Sequence, residues 1–118
     1  MENDSILLTI AKMLGYDDSY DVFHSEIMVY INMAINVLEQ LGVGEDGFVL
    51  TDPNSTWDEF LTDMDKLESV KAYIYIRVKL MHDPPANATL VKILEDSSKE
   101  LEWRLNVKAE HLESLKGG

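Results

Sequence analysis

Apolar residues recur along most of the chain at intervals of three and four, the spacing that lays one face of an α-helix against a core. Between Ser5 and Leu14 the positions are Ile6, Leu7, Ile10, Met13 and Leu14, with Asp4 or Ser5 placed to cap the start and Gly15 to stop the helix. A longer stripe follows: Phe23, Ile27, Ile31, Ala34, Leu38 and Leu41, ended by Gly42. The stretch from 42 to 55 has no helical period, and its Phe48-Val49-Leu50 run predicts a short strand or an extended loop. At Thr56-Trp57-Asp58-Glu59 the letters make a capping box, so a third helix is predicted to start there.

Leu67 to Met81 is apolar on nearly every side, which predicts a central helix. Asp83-Pro84-Pro85 must end it, since proline cannot continue the hydrogen-bond ladder and pushes the residue before it out of the helical region. The last helix is predicted from about Asn87, with Leu90, Leu94, Leu101, Leu105 and Leu112 inward and Glu95/Lys99 and Glu100/Arg104 paired outward. Ser97 and Ser98 interrupt that inward stripe, which calls for water or a tight helix crossing. From about residue 107 the apolar density falls, and an extended or frayed tail is expected. The fold class is therefore all-α: a small bundle of four to five helices with one irregular segment around 42–55, making a single domain over 1–118.

Composition narrows what such a bundle can do. Ten Lys and Arg against twenty-two Asp and Glu leave a formal charge of -12, which opposes the grip on phosphates that DNA or RNA binding needs. Solubility is the plainest use of that charge. Cysteine is absent, so disulfides, thiol nucleophiles and cysteine metal sites are excluded, and a reducing compartment fits. The acidic start Met1-Glu2-Asn3-Asp4 lacks the basic residues of a signal peptide. Glu26, Asn32, Asn36 and Glu39 make the longest apolar stretch a water-soluble helix rather than a membrane span.

Three kinds of motif-like string need a decision. Gly42-Val43-Gly44-Glu45-Asp46-Gly47 spells the dinucleotide-binding G-x-G-x-x-G, but it follows a helix where that chemistry needs a strand, and it carries two carboxylates that would repel phosphate. A helix stop followed by a turn explains it better. Asp52-Pro53-Asn54-Ser55-Thr56-Trp57 alternates oxygen ligands as a calcium loop does, with Asp63 in the last place. However, Trp57 stands where the sharp bend requires glycine. Asn54-Ser55-Thr56 and Asn87-Ala88-Thr89 are glycosylation sequons without a secretory signal. His24, His82 and His111 lack zinc-type spacing, and no carboxylate pairs with a nucleophile. No catalytic, cofactor-binding or metal-ligating residue is therefore assigned, and no cofactor is expected. Met13, Met28, Met33, Met64 and Met81 fall on or beside helical stripes and read as core fillers.

One large side chain is left over. Trp103 lies two positions past Leu101, about 200° round the helix, and so cannot share the inward stripe. It either packs against the irregular segment of its own chain or anchors a neighbouring subunit, where Trp and Arg are favoured. Trp103, Arg104 and Asn106 are the candidate partner-binding residues.

Several stretches together resemble the small head-to-tail connector, or adaptor, proteins of tailed bacteriophages and of related prophages in Gram-positive bacteria. They are Leu7-Leu8-Thr9-Ile10-Ala11-Lys12-Met13-Leu14-Gly15, Gln40-Leu41-Gly42-Val43-Gly44, Thr56-Trp57-Asp58-Glu59-Phe60-Leu61 and Val70-Lys71-Ala72-Tyr73-Ile74-Tyr75-Ile76-Arg77-Val78-Lys79-Leu80. The most specific combination is Asp83-Pro84-Pro85 followed by a helix with Leu101-Glu102-Trp103-Arg104-Leu105-Asn106. The resemblance implies a non-enzymatic structural subunit, made in the bacterial cytoplasm and found at the head-tail junction of the virion. It would join a homo-oligomeric ring between the portal protein and a tail completion or stopper protein, with DNA passing through unbound. A channel lined with carboxylates would let the genome pass without sticking. The reading of a different class is a small acidic regulatory protein or DNA mimic that occupies a basic partner's nucleic-acid site.

Overall fold

A computed structural model describes residues 4–117, with side chains described as far as Asn106. Five α-helices lie among them: α1 (Ile6–Met13), α2 (His24–Gln40), α3 (Trp57–Phe60), α4 (Leu67–His82) and α5 (Ala88–Gly117), with a 3₁₀ turn at Met64–Lys66 leading into α4. The all-α bundle is thus observed. The 42–55 segment is loop, and its extended character amounts to one isolated bridge between Ser5 and Thr56 at its end.

Local chemistry sets the helix ends. Ser5 caps α1 by accepting from the Leu8 N–H at 3.1 Å. Gly15 and Gly42 follow α1 and α2 with φ of 102° and 80°, the left-handed region that glycine enters without strain. The Glu59 carboxylate accepts from the Thr56 N–H at 2.9 Å, its half of the predicted capping box. That helix, α3, is a single turn, because Leu61 is already extended and Asp63 starts the 3₁₀ turn by accepting from the Asp65 N–H. Asn87 begins α5 by accepting from the N–H groups of Thr89 and Leu90.

α4 is central, packing against α1, α2 and α5, whereas α2 and α5 scarcely touch each other. One continuous core joins Ile6, Leu7 and Ile10 of α1 to Ile27, Ile31 and Leu38 of α2 and to Val70, Ile74 and Val78 of α4, with Trp57, Phe60 and Leu105 closing it. On α5 the covered stripe is centred on Val91, Ser98 and Leu105. Ser98 is buried at this helix crossing and donates to the Glu95 carbonyl at 2.8 Å, so its small size serves close approach to α4.

Some expected core positions are not core. Leu90 is 50% exposed because it stands one residue, about 100°, off the Val91 edge of that stripe. Met13 and Met33 are also exposed, each beside a buried stripe rather than on it, while Met28, Met64 and Met81 are partly covered. Backbone from 107 onward continues as α5, and the inward place expected for Leu112 and the side chains of the expected tail lie outside the described residues.

The irregular loop is pinned by one amide. Asn32 of α2 accepts from the Leu50 N–H at 2.7 Å and donates to the Leu50 carbonyl at 2.9 Å, doing for the loop what a partner strand would do. This pairs the backbone of a residue whose own side chain is buried.

Candidate interaction surface

The surface that the sequence singles out is carried by the second half of α5. What aims it is a contact one residue away. Tyr73 of α4 donates its phenol to the Glu102 carboxylate at 2.7 Å, which fixes the rotation of α5 about its axis. With Leu105 buried and Glu102 turned to α4, Trp103 must face the opposite side, and it is 66% exposed. The alternative in which its indole packs on the irregular segment does not hold. That segment is pinned to α2, and α4 stands between α2 and α5.

Arg104 lies beside Trp103 on the surface and donates from Nη2 to Glu100 at 2.8 Å, the predicted i, i+4 pair. Lys92 and Asp96 form another at 3.4 Å. Both pairs are exposed, so they contribute little to stability and remain free to exchange partners. Asn106 is partly buried, at the border between the α4 contact and the Trp103 face. Lys92, Asp96, Lys99 and Trp103 follow one another at steps of four, three and four and make up the outer stripe of α5.

Tyr73 titrates upward from its ordinary value. Burial disfavours the phenolate first, and the Glu102 hydrogen bond and negative charge add to it. A pKa raised in the folded state means that the stabilisation is complete below the unfolded value near 10 and is lost as pH climbs above it. Tyr73→Phe is expected to cost about 1.5–3 kcal/mol at neutral pH, as removal of a hydrogen bond to a charged group does. It should also flatten the loss of stability above about pH 10; urea unfolding of both proteins from pH 7 to 11 checks this.

The structure also assembles a polar group that sequence spacing does not suggest. His82, at the end of α4, has Nε2 at 2.8 Å from the Tyr16 hydroxyl and Nδ1 against the Glu26 carboxylate. Its side chain is only 5% exposed. Tyr16, Phe23 and Tyr30 surround the ring, with centroids at 5.8, 5.0 and 6.4 Å. A carboxylate, imidazole and hydroxyl in series resemble a proton relay. Here they tie the loop after α1 and the start of α2 to the end of α4. The neighbouring open cleft, about 350 Å³, is lined by Lys12, Tyr16, Asp17, Asp18 and Ser19, not by the imidazole.

The two rejected motifs take ordinary roles. Gly42, Gly44 and Gly47 all have positive φ and shape turns; no helix begins at the string's end, and the Gly47 N–H donates to the Glu39 carboxylate at 3.1 Å. In the calcium-like string Asp52 accepts from the Asn54 N–H at 2.7 Å, Asp63 faces Lys66 at 3.8 Å, and Trp57 is buried. Among the described residues no group of three or more His, Asp or Glu is placed to hold a metal ion. No described helix is long and apolar enough to cross a membrane.

A charge division legible in the sequence but not apparent from composition completes the surface. Lys12 and Lys66 bracket 53 residues with twelve Asp or Glu and no Lys or Arg. Among the described side chains the exposed bases are Lys12, Lys92, Lys99 and Arg104, three of them on α5. α2 and its loop therefore expose carboxylates with no Lys or Arg among them, whereas α5 exposes Lys92, Lys99 and Arg104 among its own Glu95, Asp96 and Glu100.

Fold and surface together define a small all-α helical bundle with an exposed tryptophan on its last helix and most of its exposed cations beside it. Residues 6–111 match the family model described as phage connector protein, and the chain belongs to that family. Comparison with curated proteins and with solved structures gave no match.

Proposed function

We propose that this chain is the repeating subunit of a head-tail connector ring. It would sit between the portal protein and a tail completion or stopper protein and line the channel through which DNA passes. Membership of the phage connector family supports a role as a virion component. The observation that carries the finer reading is Trp103: a large aromatic held outward by the Tyr73–Glu102 contact, next to Arg104, has the composition of an interface anchor. Asn106 at the edge of that face would supply a polar contact. Exposed carboxylates such as Asp17, Asp18 and Asp58 would give the assembled channel a source of repulsion toward the DNA backbone.

Light scattering across a concentration series, with and without portal protein, tests this reading. Rings alone or on the portal are expected; a persistent monomer or dimer that instead binds a basic protein would favour the acidic mimic. Trp103→Ala should weaken assembly about thirty-fold or more, as loss of a central Trp does. The thermal midpoint of the monomer should stay unchanged, since an exposed substitution shifts stability by less than about 0.5 kcal/mol. A lowered midpoint with unaltered assembly would return Trp103 to the packing of its own chain.

A further inference from the structure

We infer that the contact between ring neighbours, resting on the connector reading above, seats the outer stripe of α5 of one copy on the outer face of α2 and its loop in the next. The receiving face is built from Val29, Met33 and Val49.

Val29 and Met33 are one turn apart on the side of α2 that faces away from the core, and both are about half exposed or more. The Asn32 amide holds the backbone of Leu50 against this same turn, so Val49, the adjoining residue, stands beside it with its side chain outward. The two elements give one apolar strip rather than scattered exposed residues. Because the amide bracket fixes the loop, little ordering is required when a partner arrives. Trp103 supplies the matching apolar group on α5.

Charge chooses the occupant. Exposed Glu45, Asp46 and Asp52 border the α2 strip, in the segment without a single Lys or Arg. Lys99 and Arg104 border Trp103, and Lys92 lies further along the same stripe, with Asp96 and Glu100 between them. Pairing two α2 faces would set carboxylates against carboxylates with no cation between them. Pairing two α5 faces, where Lys92, Lys99 and Arg104 stand among Asp96 and Glu100, would leave the acidic strip without any cation and would close as a two-fold dimer rather than a ring. The unlike pairing brings the exposed Lys and Arg of α5 to the acidic strip and covers both apolar groups. Since α4 stands between α2 and α5, the two faces look away from each other on one protomer. A contact between such faces is heterologous, and it propagates head to tail until rotation closes it.

Mixing two broken copies tests the pairing. Trp103→Asp removes the α5 face and leaves the α2 face; Met33→Asp does the reverse, and both positions are exposed, so each protein should melt like the parent. Sedimentation velocity, with and without portal protein, should show each variant alone monomeric and an equimolar mixture forming a one-to-one dimer that grows no further, while the unmodified chain forms rings. If the unmodified chain forms rings but the mixture stays monomeric, or if Met33→Asp assembles normally, this pairing is wrong and the connector reading stands. If the unmodified chain never assembles under either condition, both are wrong.

Discussion

Gly44→Ala is expected to be among the most damaging single substitutions in the chain, although it adds one methyl group to a loop. Gly44 has φ of 85°, and a Cβ built there would lie 2.3 Å from Cε1 and 2.5 Å from Cζ of Phe60. Phe60 is itself fully buried, and its ring packs on Phe48 with centroids 5.2 Å apart, so it has little room to retreat. The backbone strain costs about 1–2 kcal/mol and the forced repacking about 1–3 kcal/mol more. Against a total stability of roughly 5–15 kcal/mol this approaches the limit of folding. Gly47 provides the control: its φ is 75°, yet nothing lies within 4 Å of its built Cβ. Gly47→Ala should therefore cost only the backbone part. Urea denaturation of the two variants separates the terms, and equal losses would mean that the Phe60 ring yields freely.

Trp57→Ala is the second large effect, expected at about 3–5 kcal/mol from the cavity left by a fully buried indole. The indole joins segments that secondary structure leaves apart. Its Nε1–H donates to Thr9 Oγ1 at 3.1 Å, while the Thr9 hydroxyl donates to the Ser5 carbonyl at 2.6 Å. The Lys71 ammonium lies 5.8 Å from the ring centroid, joining α4 to the same contact. Trp57→Phe keeps most of the apolar volume and loses the indole hydrogen bond, so about 1–2 kcal/mol is expected. Thermal unfolding followed by circular dichroism ranks the three proteins, and a phenylalanine variant as damaged as the alanine one would assign the effect to the hydrogen bond rather than to packing.

These two positions bear on assembly as well as on stability. Gly44 and Trp57 sit at the two ends of the loop segment whose middle, Val49, helps to form the receiving face on α2. Substitutions there should disturb the loop and the ring together, whereas Trp103 and Met33 should affect assembly alone. That contrast separates an interface residue from one that merely holds the interface in shape.

Much of the bundle was legible in the one-dimensional pattern. Ile6, Leu7 and Ile10, the Ile27–Ile31–Ala34–Leu38 stripe, the apolar centre of α4 and the Pro84–Pro85 stop each follow from local spacing, because helix hydrogen bonds join residues close in sequence and a buried face repeats every three or four positions. The displacement of Trp103 from the inward stripe was readable for the same reason. The places where this reading missed, Leu90, Met13 and Met33, lie one residue off the buried stripe, where the pattern allows either side and only the position of the neighbouring helix chooses.

What tertiary structure alone decided is the set of contacts between distant positions. The Glu26–His82–Tyr16 array joins residues 56 and 66 positions apart, the Asn32 bracket spans 18, and the Tyr73–Glu102 contact spans 29. No periodicity encodes such pairings, since each depends on which helix ends meet around α4. The acidic run between Lys12 and Lys66 was present in the sequence throughout. Only the packing of α2 and α5 against α4 sets this stretch without Lys or Arg apart from α5, where Lys92, Lys99 and Arg104 stand exposed among Glu95, Asp96 and Glu100.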